Sequence, residues 1–160
     1  MLESKQIDIN EEVISSILFL IDLFTSTRTL ECENSTKATR SISVYHDRNA
    51  KLISMNFDVI LLDHSRLKNS NLREESSFLI FYFLLDVLSE NLKKEIGLNN
   101  FEDYTWIKKG VAPQWNSSKD YKRQFFNSLA FIGFDQTEIL TILKMLVSII
   151  LLEQFEKENK

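Results

Sequence analysis

The sequence predicts a mainly α protein with one small antiparallel β-hairpin, an α+β arrangement. Three observations carry that expectation. Apolar residues recur at helical spacing in several long stretches, a polar Ser/Thr-rich segment interrupts them early, and alternating β-branched residues follow around the turn-like Asp47-Arg48-Asn49-Ala50. At 160 residues the chain suits a single domain, 1–160, long enough to bury a core. Its 44% hydrophobic and 26% charged content separates it from disordered chains.

Asn10 with Glu11 and Glu12 makes a helix start, and Val13, Ile14, Ile17, Leu18, Ile21 and Phe24 then recur at helical spacing, predicting a helix from about Asp8 to Phe24. Thr25 to Arg40 has no amphipathic period and reads as an ordered loop. Ile42, Val44, Leu52, Ile53, Phe57 and Val59 predict a hairpin over about Ser41 to Phe57. Glu74 to Leu88 reads as a buried helix, and Asn91 to Ile96 as a short one closing at Gly97. Asn99 to Lys119, with Trp106, Gly110, Pro113 and Trp115, suits a surface connection with aromatic anchors. Helices over Asp120 to Phe131 and Gln136 to about Phe155 are separated by a Gly133-Phe134-Asp135 corner. Spacing assigns Ile80, Phe81, Tyr82, Leu84, Leu85, Ile142, Leu143, Leu146 and Ile149 to the core.

Several function classes are disfavoured by the same residues. Nineteen Lys and Arg against 23 Asp and Glu give a net charge of −4, so no basic field draws the chain to nucleic acid. Phe78–Leu85 is short and Ile139–Leu152 is broken by Lys144, so neither reaches the roughly 20 apolar residues of a membrane span. Cys32 has no second cysteine to pair with, and MLESKQIDIN lacks the pattern of a secretory signal, so a reducing cytoplasmic setting is expected. His46 and His64 stand apart from any zinc-type spacing. None of the three glycines, Gly97, Gly110 and Gly133, sits in a G-x-x-x-x-G-K-[ST] setting, so these residues build no loop of backbone amides around phosphates.

The polar loop carries the sharper signal. Leu23 through Leu30, reading LFTSTRTL, and Asn34 through Ile42, reading NSTKATRSI, resemble without a gap the myosin pattern A-F-G-N-A-K-T-x-x-N-x-N-S-S-R-F-G-K-[FY]-[IM]. Leu61-Leu62-Asp63-His64-Ser65-Arg66-Leu67 resembles Y-L-L-E-K-S-R-V of that family, and Phe78 through Leu85 resembles [FY]-H-I-F-Y-Q-L-L. Leu92 through Leu98 with Tyr104 is similar to L-K-x-x-L-x-L and a following D-Y, and Ile132-Gly133-Phe134 with Leu146 through Leu151 to I-G-F and I-L-A-A-I-L-H-L-G-N. These matches run in family order over about Val13 to Phe155.

The resemblance implies a fragment of the myosin motor-domain fold, a partial head containing the nucleotide-sensing loop called switch I. By position, Asn34 would donate to a phosphate oxygen, Ser35 would face the terminal phosphate and attacking water, and the Thr36 hydroxyl would ligate magnesium, with Lys37 completing the nucleotide-facing set. ATP and Mg are the implied cofactors; the rest of a head and actin filaments are the implied partners, in a cytoskeletal location. The departures are Cys32 for Asn, Lys37 for an Arg that pairs with a switch II glutamate, Ala38-Thr39 for Phe-Gly, and Leu151-Leu152-Glu153-Gln154 for H-L-G-N. Lysine keeps the charge and loses the planar two-pronged donor geometry. With no phosphate-binding loop and no D-x-x-G-F-E switch II among these residues, the expectation is no ATP hydrolysis by this chain alone. The alternatives are a catalytically dead, myosin-derived protein-interaction module and an unrelated helical adaptor.

Overall fold

A computed structural model describes residues 10–62, 75–99, 104, 107 and 120–158. Asp8, Glu74, the Asp63–Leu67 motif and most of the 99–119 connection lie outside the described residues. Within them the order is α1 (Glu11–Thr25), β1 (Ser26–Thr27), β2 (Ser35–Thr36), β3 (Ala38–His46), β4 (Leu52–Leu61), α2 (Leu79–Asp86), α3 (Glu90–Ile96), α4 (Tyr121–Phe131) and α5 (Gln136–Glu158). The α+β class follows as expected. Two small antiparallel sheets form, β1 with β2 and β3 with β4.

Local chemistry sets most helix ends. Asn10 Oδ1 accepts from the Val13 amide at 2.9 Å, and Asp120 Oδ1 from the Arg123 amide at 3.0 Å, each satisfying an amide without an intrahelical partner. Asp135 and Glu138 form a reciprocal capping box at the start of α5, at 2.8 and 2.9 Å. Gly97 and Gly133 close α3 and α4 at positive φ, 77° and 96°. At each, the glycine amide and the one after it bond back into the last turn, a pattern that favours a residue without Cβ.

The core is organised around α2, whose residues Leu79 to Leu85 are all buried. A helix apolar on every side has to be surrounded, and α1 packs against α2 and α4 while α3 packs against α5. Phe83 meets Phe125 of α4 with ring centroids 4.7 Å apart, and Tyr104 and Ile107 join the same cluster.

Four sequence expectations are corrected. The hairpin is longer than Ser41–Phe57, pairing Ala38 with Leu61 at its foot. The helix expected from Glu74 starts at Leu79, because Ser76 and Phe78 are extended and pair with residues of the polar loop. That loop contains the short strands β1 and β2. Ile149, assigned to the core by spacing, is 50% exposed on a helix whose opposite face carries buried Leu143, Leu146, Val147 and Ile150. In α1 the buried face is Val13, Ser16, Leu20 and Leu23, and Phe24 is exposed.

Candidate functional site

The segment between α1 and β3 is a small hairpin stitched to three neighbours. Ser26 pairs with Thr36 and Thr27 with Ser35. Its tip turns through Thr29 and Cys32, whose backbones bond at 2.8 Å while Thr29 Oγ1 accepts from the Cys32 amide at 3.1 Å. Arg28 Nε lies 3.0 Å from Glu33 Oε1 across the same tip. Leu30, Glu31, Cys32, Glu33 and Asn34 are all exposed.

Lys37 is the anchored point. Its amide donates to the Thr25 carbonyl at 2.8 Å, at the end of α1, and its carbonyl accepts from the Leu62 amide at 2.9 Å, at the end of β4. One residue thus joins the helix and the long hairpin. Arg40 adds a 2.7 Å ion pair to Asp22 of α1. On the other side the Arg28 amide donates to Ser76 Oγ at 2.6 Å, the Ser76 amide returns to the Arg28 carbonyl at 2.9 Å, and Thr27 bridges to Phe78.

The sequence-predicted residues are distributed as follows. Asn34 is exposed and makes no side-chain hydrogen bond within the described residues. Ser35 is half-buried, and its hydroxyl accepts from Lys37 Nζ at 3.0 Å. The Thr36 hydroxyl donates to the Ala38 carbonyl at 3.3 Å. The four side chains offer an amide, two hydroxyls and an ammonium. That is a donor-rich set suited to phosphate oxygens, and a single hydroxyl fits magnesium only where phosphates and waters supply its other ligands. Among the described residues no group of three His, Cys, Asp or Glu could hold a metal by itself.

Sequence reasoning missed Ser76, which sits where a Ser-Ser pair before an apolar run reads as a helix start. It also missed Ser26 and Thr27, whose buried hydroxyls have no hydrogen-bond partner among the described residues. A separate open groove of about 440 Å³ lies between α1 and α4, with Glu12, Ser15, Asp120, Arg123 and Asn127 along it, and none of Asn34 to Lys37 reaches it.

The loop exposes its tip and is fixed at its foot between a helix and a hairpin, in a mostly helical α+β chain. The family model for the myosin head (motor domain) matches residues 3–160, and the chain belongs to that family. Its helices and two small antiparallel sheets are a fragment of the motor-domain fold. No helix of the described residues is long and apolar enough to cross a membrane.

Proposed function

We propose that this chain supplies the switch I loop of an actin-based, ATP-driven motor head, with Asn34, Ser35, Thr36 and Lys37 facing the nucleotide. The observation that carries this reading is the double anchoring of the Lys37 backbone to Thr25 and Leu62. It holds the following strand rigidly and leaves the donor side chains ahead of it at the surface. In phosphoryl transfer the protein mainly positions groups and stabilises spread negative charge. Asn34 and Lys37 bind phosphate oxygens, Ser35 orients the terminal phosphate and attacking water, and Thr36 holds the metal. Magnesium supplies charge neutralisation on the phosphates when bound.

These 160 residues contain no glycine-rich phosphate loop, so they are not a catalyst alone, and their partners are the remainder of a head and, through it, actin. Calorimetric titration with MgATP tests the reading. The chain alone gives very weak binding. The chain combined with a head portion carrying the glycine-rich loop gives tight binding that Asn34→Ala and Lys37→Ala weaken. Tight binding indifferent to both substitutions overturns it. One observation favours the alternative of a catalytically dead interaction module: the Lys37 ammonium is already engaged by Ser35. The same titration decides it, since a dead module binds no nucleotide in either setting.

A further inference from the structure

Ser35 and Thr36 lie on a strand pairing too short to place itself. β1 and β2 meet over two residue pairs, Ser26 with Thr36 and Thr27 with Ser35, and an isolated two-stranded ribbon is marginal in water even when longer. The Ser26 and Thr27 hydroxyls are buried without a hydrogen-bond partner among the described residues, which opposes the closed arrangement further. The position of β1, and of the donors paired with it, is therefore set by what holds the two ends of the pairing. At the foot the holds are backbone bonds, from the Lys37 amide to the Thr25 carbonyl and from the Leu62 amide to the Lys37 carbonyl. Toward the tip the hold is a side chain. The Arg28 amide donates to the Ser76 hydroxyl at 2.6 Å, and the Ser76 amide donates to the Arg28 carbonyl at 2.9 Å.

From Ser76 the connection continues into the core. Its hydroxyl donates to the Ser77 carbonyl at 2.8 Å, and the Ser77 amide donates to the hydroxyl of Tyr82, which is fully buried in α2, at 3.3 Å. Thr27 pairs with Phe78, so the segment entering α2 lies along β1. We infer that Ser76 is a positioning residue for Asn34 and Ser35, its side chain fixing the tip end of β1 and coupling occupation of the loop to the entry of α2. This rests on the proposed reading of Asn34 to Lys37 as nucleotide-facing. Ser76 is itself fully buried and acts only through Arg28. Without its hydroxyl the loop stays tied at Lys37 and is loosened at Arg28, so Asn34 and Ser35, farther along the chain from Lys37, lose their placement before Thr36 does. Coupling of this kind is reciprocal: a nucleotide on the loop protects the Arg28 amide by the same factor that the Ser76 contact adds to nucleotide affinity.

MgATP titration and amide exchange, both on the chain combined with a head portion carrying the glycine-rich loop, test this. Ser76→Ala weakens nucleotide binding about tenfold, accelerates exchange at Ser35 more than at Lys37, and abolishes the nucleotide-dependent protection of Arg28. Ile150→Val, at a fully buried position of α5, controls for a general loss of stability: it lowers the denaturant midpoint and leaves affinity and Arg28 protection unchanged. Unchanged affinity in Ser76→Ala, where Asn34→Ala and Lys37→Ala do weaken binding, overturns the positioning role and leaves the nucleotide-facing reading standing. Weakened affinity that Ile150→Val reproduces overturns it as well, since the effect then belongs to stability. Binding indifferent to all three loop-directed substitutions overturns the nucleotide-facing reading, and the positioning role falls with it.

Discussion

The Lys37 ammonium donates to the Ser35 hydroxyl at 3.0 Å, two residues away on the far side of Thr36. Both side chains are half-buried, and the contact is a solvated hydrogen bond that orders the loop's donors more than it stabilises the fold. Lys37→Ala therefore changes unfolding free energy by no more than about 0.5 kcal/mol. Urea titration checks this. A loss above about 1 kcal/mol would mean that Lys37 makes its structural contribution through the side chain and not, as argued, through its backbone bonds to Thr25 and Leu62.

Ser76 has the opposite character. It is fully buried, its hydroxyl accepts from the Arg28 amide and donates to the Ser77 carbonyl at 2.8 Å, and it couples the loop to the entry of α2. Ser76→Ala removes the acceptor of a part-buried hydrogen bond from the Arg28 amide and costs about 1 kcal/mol. Amide exchange at Arg28 accelerates in parallel. Unchanged exchange at Arg28 would refute the coupling even if stability fell.

Thr27 and Ser26 carry buried hydroxyls with no hydrogen-bond partner among the described residues. A desolvated hydroxyl without a partner costs free energy that an apolar isostere avoids. Thr27→Val is thus expected to raise stability by about 1 kcal/mol, measured by denaturant midpoint at constant slope. A destabilised variant would show that the hydroxyl has a partner in solution.

Helix ends with a local cap were legible because they are decided within a few residues, whereas the start of α2, whose N-cap Phe78 makes no side-chain capping bond, was not. Asn10 and Asp120 stand at helix starts and Gly97 at a helix end where the sequence places them, and Gly133 lies in the expected corner. The all-round apolar run of α2 also announced its own burial. The buried face of α1 was not legible, because apolar residues cover more than half of its circumference and Ser16 is selected for burial by a neighbouring helix. Ile149 was misassigned for a related reason: α5 is apolar on two sides and spacing alone does not say which one is covered. At the loop, the residue types were readable by resemblance, whereas the anchoring of Lys37 and the role of Ser76 depend on partners 12 to 48 residues away.

The last prediction concerns the loop's chemistry. The isolated chain binds MgATP very weakly and shows no measurable turnover, since tight nucleotide binding needs a cradle of backbone amides and a lysine against the phosphates, and three scattered glycines do not form one. In a head that supplies those parts, two neighbouring hydroxyls give different signatures. On the proposed reading, in which its hydroxyl acts at the terminal phosphate and water, Ser35→Ala leaves nucleotide affinity within about threefold and slows hydrolysis by about tenfold or more. On the same reading, in which the Thr36 hydroxyl is a ligand to the metal, Thr36→Ala instead raises the magnesium concentration required. Calorimetry at stepped magnesium concentrations, with phosphate release followed on the same samples, separates the two. If the substitutions produced the same change in both measurements, the division of roles between Ser35 and Thr36 would be wrong. Submicromolar ATP affinity or steady phosphate release from the purified 160-residue chain would place a phosphate site outside the loop.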